Sequence, residues 1–178
     1  MAGGIAVIVI TVSAHGREDM SQRTGPTHYA GQVLDFDGGA PMSGVIVTVM
    51  WYREGASMKG QAPTDQFHAA FEMRTGADGR YEVPSRPTRP LAQGDLLQTP
   101  VALFFLPGYI DWHHRFVGDP RSPEPRTIVQ LKRAEDPMDA LKDVTIPQLV
   151  PYAEIPLLVG ALNRERARLG LPALAPSE

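Results

Sequence analysis

The sequence predicts a mainly β protein: a seven-stranded antiparallel β-sandwich followed by a short helical tail. Short segments with alternating or β-branched apolar residues recur through the middle of the chain. Proline and glycine, with 17 residues each, are frequent enough to separate these segments by turns. The length of 178 residues also allows one domain with appendages to bury a hydrophobic core without cross-links.

Seven segments carry the strand pattern. The clearest is "VIVTVMWY", residues 45–52, in which both sets of alternating residues are apolar. We therefore expect this strand to be central and covered on both faces. Turn residues or polar loops separate the other segments, which makes an antiparallel sandwich the expected arrangement. The predicted strands are residues 29–36, 45–52, 67–75, 81–83, 101–106, 110–117 and 126–133.

Glycine and aspartate mark the turns between these strands. Asp-Gly steps favour tight turns because glycine adopts positive φ without a steric penalty. Three aspartates, Asp35, Asp37 and Asp78, could alternatively bind calcium in loops. Their spacing matches no complete calcium site, so turn capping is the preferred interpretation. The residues assigned structural roles in turns are Asp37, Gly38, Gly44, Asp78, Gly79 and Gly108.

Residues 134–178 change character and predict helices. Asp136 followed by Pro137 is typical of an N-cap and the first helical position. Closely spaced prolines then argue against a continuous helix. A second helix is predicted from Leu157, with an apolar stripe that ends before Gly170. We expect this helix to pack on the sandwich.

The N-terminal region predicts export. Residues 5–12 form an apolar run, and the small residues after it resemble a signal-peptide cleavage site, although the usual basic residue before the run is missing. A strand is the alternative interpretation. The run is too short to span a bilayer. The predicted organisation is a partial signal segment and linker (1–28), the sandwich (29–133) and a helical extension (134–178), located outside the cytoplasm.

Composition and missing motifs narrow the classes of function. The chain lacks cysteine, which excludes disulfides, thiol catalysis and cysteine-bound zinc. Its net charge of −3 provides no basic footprint for nucleic acid. The sequence also lacks a Gly-x-Ser-x-Gly elbow, a His-Glu-x-x-His pair and a phosphate-binding glycine loop.

Three strand-turn motifs follow one another between residues 29 and 133. "GQVLDFDGGAPMSGVIVTVMW" contains Gly-x-Val, an Asp-Gly turn, a proline and a Gly-Val-x-Val strand; "TGADGRYEVP" contains Thr-x-x-Asp-Gly-x-Tyr; "FFLPGY" ends a strand in Gly-Tyr. In this order they resemble the carboxypeptidase regulatory-like domain family. The loops 53–66 and 84–100 and the helical tail have no counterpart in the family's pattern.

The resemblance implies a transthyretin-like, Greek-key β-sandwich within the wider carbohydrate-binding-like fold. It also implies a noncatalytic module on an exported or envelope protein. Fold alone does not determine function, so the individual residues must be considered as well.

Two adjacent histidines, His113 and His114, are the most obvious candidates for chemistry. Intradiol dioxygenases, on a related sandwich, hold iron with two tyrosines and two histidines, and Tyr81 and Tyr109 could serve as the tyrosines here. Neighbouring strand residues point to opposite faces, however, so one metal would not receive both imidazoles unless a bulge intervenes. We therefore predict no metal site and no cofactor.

A binding surface is the more credible interpretation of the aromatic residues. Trp51, Tyr52, Tyr109 and Trp112 are large and amphipathic, and each of them could instead fill the core. If one or two were exposed beside a basic residue or histidine, they could stack a sugar ring or a peptide side chain. The predicted ligand-binding residues are Trp112, His113, Arg115, Tyr109 and Arg53.

These observations predict a noncatalytic β-sandwich module for binding or assembly. The expected partner is a protein or a glycan, with no nucleic acid and no membrane span. The alternatives are a carbohydrate-binding module and a metal-dependent enzyme similar to the intradiol dioxygenases.

Overall fold

A computed structural model describes residues 28–54, 65–84, 87–92, 96–98, 100–117, 126–146 and 150–174. These residues form a mainly β structure with two sheets and a helical C-terminal tail. The strands are β1 His28–Asp35, β2 Ile46–Glu54, β3 Asp65–Arg74, β4 Arg80–Pro84, β5 Leu96–Leu97, β6 Val101–Phe105, β7 Tyr109–Val117 and β8 Arg126–Arg133. The helices are α1 Pro137–Asp143 and α2 Pro156–Arg168, with a 3-10 turn at Tyr152–Glu154 between them.

The first sheet has the strand order β4-β1-β8-β7, and the second has β3 and β2 side by side with β5 and β6 on the other edge of β2. All seven predicted strands are present. The two-residue strand β5 was not predicted, because two residues are too few for a periodic pattern. Since β5 pairs with the end of β2 and β6 with its beginning, the two share one strand position.

The purely antiparallel arrangement predicted for the sheets is wrong at one pair. Strands β1 and β8 run parallel, with Gly31 opposite Thr127 and Val33 opposite Val129. Residue alternation within a strand is the same in parallel and antiparallel sheets that bury one face. It therefore does not reveal the direction of a partner strand that lies far away in the sequence.

One apolar cluster, termed cluster 1, draws buried side chains from both sheets. Val47, Val49 and Trp51 contribute from β2, because alternate residues of a strand point to the same face. They meet Val33 of β1 and Val129 of β8 from the first sheet. Each large aliphatic side chain buried in this way stabilises the fold by about 1.5–3 kcal/mol.

The opposite face of β2 belongs to a second apolar cluster, termed cluster 2. Ile46 and Met50 pack there with Ile155, Leu158 and Leu162 of the tail. Leu158 and Ile155 are completely buried. The predictions that β2 is covered on both faces and that the second helix packs on a sheet are therefore confirmed.

The N-terminus of α2 is capped by a residue from a distant strand. Its own N-cap residue, Ile155, provides no side-chain hydrogen bond. The Glu72 carboxylate instead accepts hydrogen bonds from the backbone N–H groups of Leu157 at 2.6 Å and Leu158 at 2.9 Å, and from the Thr48 hydroxyl at 3.0 Å. These N–H groups lack partners within the helix, and the positive end of the helix dipole favours an anion. Glu72 thus fastens the tail to the second sheet.

The other helix ends follow the sequence closely. Asp136 caps α1 by accepting a hydrogen bond from the Met138 N–H at 2.8 Å, as predicted. Helix α2 ends before Gly170, whose φ is 72°. Near that end Arg168 donates two hydrogen bonds to the Glu165 carboxylate, and these bonds hold the pKa of Glu165 below its usual value. No helix within the described ranges is long and apolar enough to cross a membrane.

Candidate functional site

Two turns interlock at one end of the sheets. They are the β1–β2 loop, residues 36–45, and the β3–β4 turn, residues 75–79. The Val33 N–H donates to the Gly79 carbonyl at 2.8 Å, and the Met42 N–H donates to the Val33 carbonyl at 3.0 Å. The buried Thr75 hydroxyl donates to the Met42 carbonyl at 2.7 Å and accepts from the Val45 N–H at 3.0 Å. These bonds fix the path of the β1–β2 loop.

Gly79 is required at this junction. Its φ is 72°, and a Cβ atom there would lie 2.5 Å from the Val33 carbonyl oxygen and 3.0 Å from the Met42 nitrogen. A side chain would therefore be both strained and in collision with backbone. Positive φ values also occur at the predicted turn residues Gly44 and Gly108, whereas in the first turn positive φ falls on Gly39 rather than on Gly38.

Aspartate side chains close both turns. Asp78 accepts a hydrogen bond from the Arg80 N–H at 3.1 Å, which is the turn-capping role expected for it. In the β1–β2 loop the capping residue is Asp35, whose Oδ1 accepts from the Gly38 N–H at 2.7 Å. The predicted turn residue Asp37 is exposed to solvent.

A groove lies where the β1–β2 loop meets the turn between β6 and β7. Its volume is about 340 Å³. An aspartate, a serine and a tyrosine line it together with apolar residues. We call it the turn-end groove, and its lining residues are Asp35, Ala40, Pro41, Met42, Ser43, Leu106 and Tyr109.

Backbone hydrogen bonds hold both walls of the turn-end groove in place. On one wall the Asp35 N–H donates to the Ala40 carbonyl at 2.8 Å. On the other, the Tyr109 N–H donates to the Leu106 carbonyl at 3.0 Å. Across from Tyr109 in the β7–β8 register lies Arg133, which is exposed. The groove is an open depression whose walls are ordered by backbone hydrogen bonds and whose lining includes the hydroxyl-bearing residues Ser43 and Tyr109.

The structure places Tyr109 in the groove but does not bring Arg53 to it. Arg53 lies at the opposite end of β2, where its guanidinium donates to the Gln66 side chain at 2.9 Å. It is seven positions along the strand from Ile46 at the groove end, which is about 23 Å at the usual rise of a strand. The sequence could not reveal this separation, because it depends on how β2 and β7 are aligned.

The predicted site residues Trp112, His113 and Arg115 lie on β7, and their side chains are outside the described part of the structure. The backbone register pairs His113 with Gln130 and His114 with Val129. The ladder shifts between Asp111 and His113, so the irregularity falls just before the histidine pair. The ladder is regular across the pair itself. That the two imidazoles point apart remains a prediction.

The two tyrosines considered as iron ligands are far apart. Tyr81 is buried in cluster 1, with its ring 5.4 Å from that of Phe104. Burial raises the pKa of Tyr81, while a hydrogen bond with Thr127 lowers it and the charge of Asp111 raises it further. Tyr81 therefore lies near Thr127 of β8, whereas Tyr109 lies opposite Arg133 of the same strand. Thr127 and Arg133 are six positions apart, which is about 20 Å along the strand. Across the described residues, no three histidine, aspartate or glutamate side chains are grouped as metal ligands.

Two other aromatic candidates belong to the core. Trp51 is 1% exposed in cluster 1, and Tyr52 is 8% exposed in cluster 2. Burial raises the pKa of Tyr52. The Trp51 indole N–H and the Tyr52 hydroxyl have no hydrogen-bond partner among the described residues. Of the three of these aromatics whose side chains the structure describes, Tyr109 is the one that lines the groove.

A second polar arrangement, which sequence reasoning did not find, ties β3 to the tail. The buried His68 ring forms a 2.8 Å hydrogen bond between Nε2 and the Arg89 carbonyl. The Arg89 guanidinium in turn donates to the His68 carbonyl at 2.8 Å and to the Glu154 carboxylate at 3.0 Å. These residues are far apart in sequence, so no local motif could have indicated the contact.

Asp35 and Ser43 were also not predicted as site residues. The only signal in the sequence was the polar, glycine-rich character of the β1–β2 loop, which marks a turn as readily as a binding loop. Comparison with protein-family profiles, with curated proteins and with solved structures finds no match for this chain.

Proposed function

We propose that this chain is a noncatalytic binding module of the carboxypeptidase regulatory-like type, with a Greek-key β-sandwich fold, and that it serves an exported or envelope protein. The observation that carries the proposal is the turn-end groove. It is built on turns whose residues supply the family-like motifs, among them Gly44, Gly79 and Gly108. The sandwich assignment is supported by cluster 1, which contains buried residues from both sheets.

The groove has the properties of a binding surface. Loops held on a rigid scaffold are a common location for binding residues. The bond that Thr75 donates to Met42 and the bond that it accepts from Val45 order the β1–β2 loop before any ligand arrives, which reduces the entropy lost on binding. Asp35, Ser43 and Tyr109 then supply hydrogen-bonding groups beside apolar walls, the usual composition of a ligand site.

A groove-blocking variant tests the proposal. Ser43 is exposed at the groove, so Ser43→Trp fills the space with an indole while the backbone bonds of the loop remain. Thr145→Trp, at an exposed position of the tail, is the matched control. Purified wild-type chain and both variants are immobilised and exposed to an envelope extract of the source organism, and retained proteins and glycans are identified by mass spectrometry.

We expect at least one identified component to be retained by the wild type and by Thr145→Trp, and to be lost with Ser43→Trp. Equal retention by all three chains, or no retention by any, would contradict binding at this groove. Fractionation of cells that express the tagged full chain tests export, and recovery only in the cytoplasm would contradict it. Substrate turnover by the purified chain that His113→Ala abolishes would overturn the noncatalytic assignment.

A further inference from the structure

The outer face of the second sheet is a docking surface whose occupant is the tail of the same chain. Ile46 and Met50 of β2 are buried there against Leu158 and Leu162 of α2. These contacts join side chains, because α2 belongs to neither of the two hydrogen-bonded sheets. A helix held in this way can leave the sheet and return without breaking a strand ladder.

Helix α2 depends on that face for its own first turn. The N-cap residue Ile155 provides no side-chain hydrogen bond, and the N–H groups of Leu157 and Leu158 donate instead to the Glu72 carboxylate on β3. The helix has 13 residues, a length at which an isolated helix is marginal in water. Departure of the tail therefore leaves an uncapped helix and two exposed apolar surfaces, so the open chain is stabilised by pairing again.

The connection that leads to α2 has extended backbone at both of the ends that the structure describes. Val144, directly after α1, has φ −87° and ψ 102°, and Pro151, directly before the 3-10 turn, has φ −64° and ψ 130°. The seven steps from Val144 to Pro151 reach up to about 24 Å in extended chain. Neither end is a tight turn that commits the tail to its own sheet, so the connection allows α2 to reach a neighbouring copy.

We propose that two copies of this chain exchange α2, so that the helix of each copy packs on the second sheet of the other. The occupant of the face is a second copy because this chain carries the helix that fits it: an apolar stripe for Ile46 and Met50, and first-turn N–H groups for Glu72. Each copy gives and receives the same contact, so the exchange closes as a two-fold dimer.

The closed monomer dominates in dilute solution, because a tail on a short connection has an effective concentration of the order of mM. Tail exchange does not involve the turn-end groove and is independent of the proposed function.

Exchange in the wild-type chain is measured first. The full chain is incubated at about 1 mM, near the effective concentration of its own tail, and its mass is followed by size-exclusion chromatography with light scattering. We expect a dimer that forms slowly and persists after dilution, because both steps require α2 to leave its sheet. Leu158→Ala weakens the same contact in monomer and dimer, so it should speed their interconversion about tenfold or more and change their ratio far less.

Complementation between two variants shows which surfaces pair. Glu72→Lys damages the face, because its ammonium opposes the positive end of the helix dipole, and Leu158→Asp damages the apolar stripe of the helix. A mixed dimer gathers both defects in one contact and leaves the other contact intact. At equal concentrations, native mass spectrometry should show the mixed dimer about tenfold or more above either homodimer. Ala167→Asp, at an exposed position of α2, is the control partner: it should close on itself and form no such excess with Glu72→Lys.

Amide signals of the β1–β8 ladder in ¹⁵N NMR spectra verify that both variants keep their sheets. A variant that loses them is replaced by Glu72→Gln or Leu158→Ala, whose milder defects predict a smaller excess of the same mixed dimer. Tail exchange is wrong if the wild-type chain stays monomeric at about 1 mM, if each variant alone dimerises as well as the mixture, or if Ala167→Asp pairs with Glu72→Lys as well as Leu158→Asp does. None of these results changes retention at the turn-end groove, so the two proposals fail separately.

Discussion

The two apolar clusters differ in how they are fastened, although both use strand β2. Cluster 1 takes the residues of one face of β2, such as Val47 and Trp51, and cluster 2 takes those of the other face, such as Ile46 and Met50. Cluster 1 is closed by strands paired in long backbone ladders and by interlocked turns. Cluster 2 is closed by a tail that side-chain bonds join to the sheet: those of Glu72 with Leu157 and Leu158, and that of Arg89 with Glu154.

Two faces of one strand can therefore have a similar apolar pattern and still form clusters that differ in their resistance to local unfolding. A substitution that disrupts the packing of cluster 1 also disturbs the backbone ladders of both sheets. We therefore expect it to lower the stability of the whole fold. Breaking cluster 2 first releases α2, because fewer backbone bonds join the tail to the sheet. Changes at three positions test this difference.

The largest effect is expected for Trp51→Ala in cluster 1. Removing this buried indole should lower the free energy of unfolding by about 3–5 kcal/mol, because the cavity cannot collapse between two sheets. Urea unfolding followed by circular dichroism measures the loss. Trp51→Phe is the control, since it keeps most of the apolar volume and removes the unpartnered N–H, and it should cost less than about 1.5 kcal/mol. A smaller loss for Trp51→Ala than for a change in cluster 2 would reverse the ranking of the clusters.

Leu158→Ala in cluster 2 should lower the free energy of unfolding by roughly 2–4 kcal/mol, because Leu158 is fully buried against the second sheet. Hydrogen exchange should show faster exchange of the α2 amides, while amides in the β1–β8 ladder keep their protection. Leu157→Ala, at a neighbouring position that is 37% exposed, serves as the control with little effect expected. Equal loss of protection in β1 and α2 would show that the tail does not open separately.

The smallest effect is expected for Glu72→Gln. The amide keeps one acceptor oxygen but loses the charge that faces the helix N-terminus, so we expect a loss of about 1–3 kcal/mol. Denaturation measures the loss, and exchange at the Leu157 and Leu158 amides locates it. Glu135→Gln, at an exposed position just before α1, should change stability by less than about 0.5 kcal/mol. An unchanged stability for Glu72→Gln would mean that the tail is held by apolar packing and the Arg89–Glu154 contact without help from the Glu72 charge.

For the loop residues of the candidate site, the sequence predicted a turn but did not predict a role in binding. The Asp-Gly and Gly-Tyr steps correctly indicated tight turns, because their chemistry is local. That Asp35, Ser43 and Tyr109 line one groove depends on how two turns distant in sequence are packed. Tyr109 was recognised as a candidate by its side chain, whereas Asp35 and Ser43 resembled ordinary turn residues.

The sequence alone predicted the strand segments, the capped first helix of the tail and the burial of both faces of β2. Each depends on neighbours within a few residues, through alternation, capping or backbone preference. Folding in three dimensions decided the rest: the parallel pairing of β1 with β8, the ladder shift before His113, the Glu72 cap on α2 and the turn-end groove. These features join residues that are far apart in sequence, and their free energy depends on distances that no local pattern encodes.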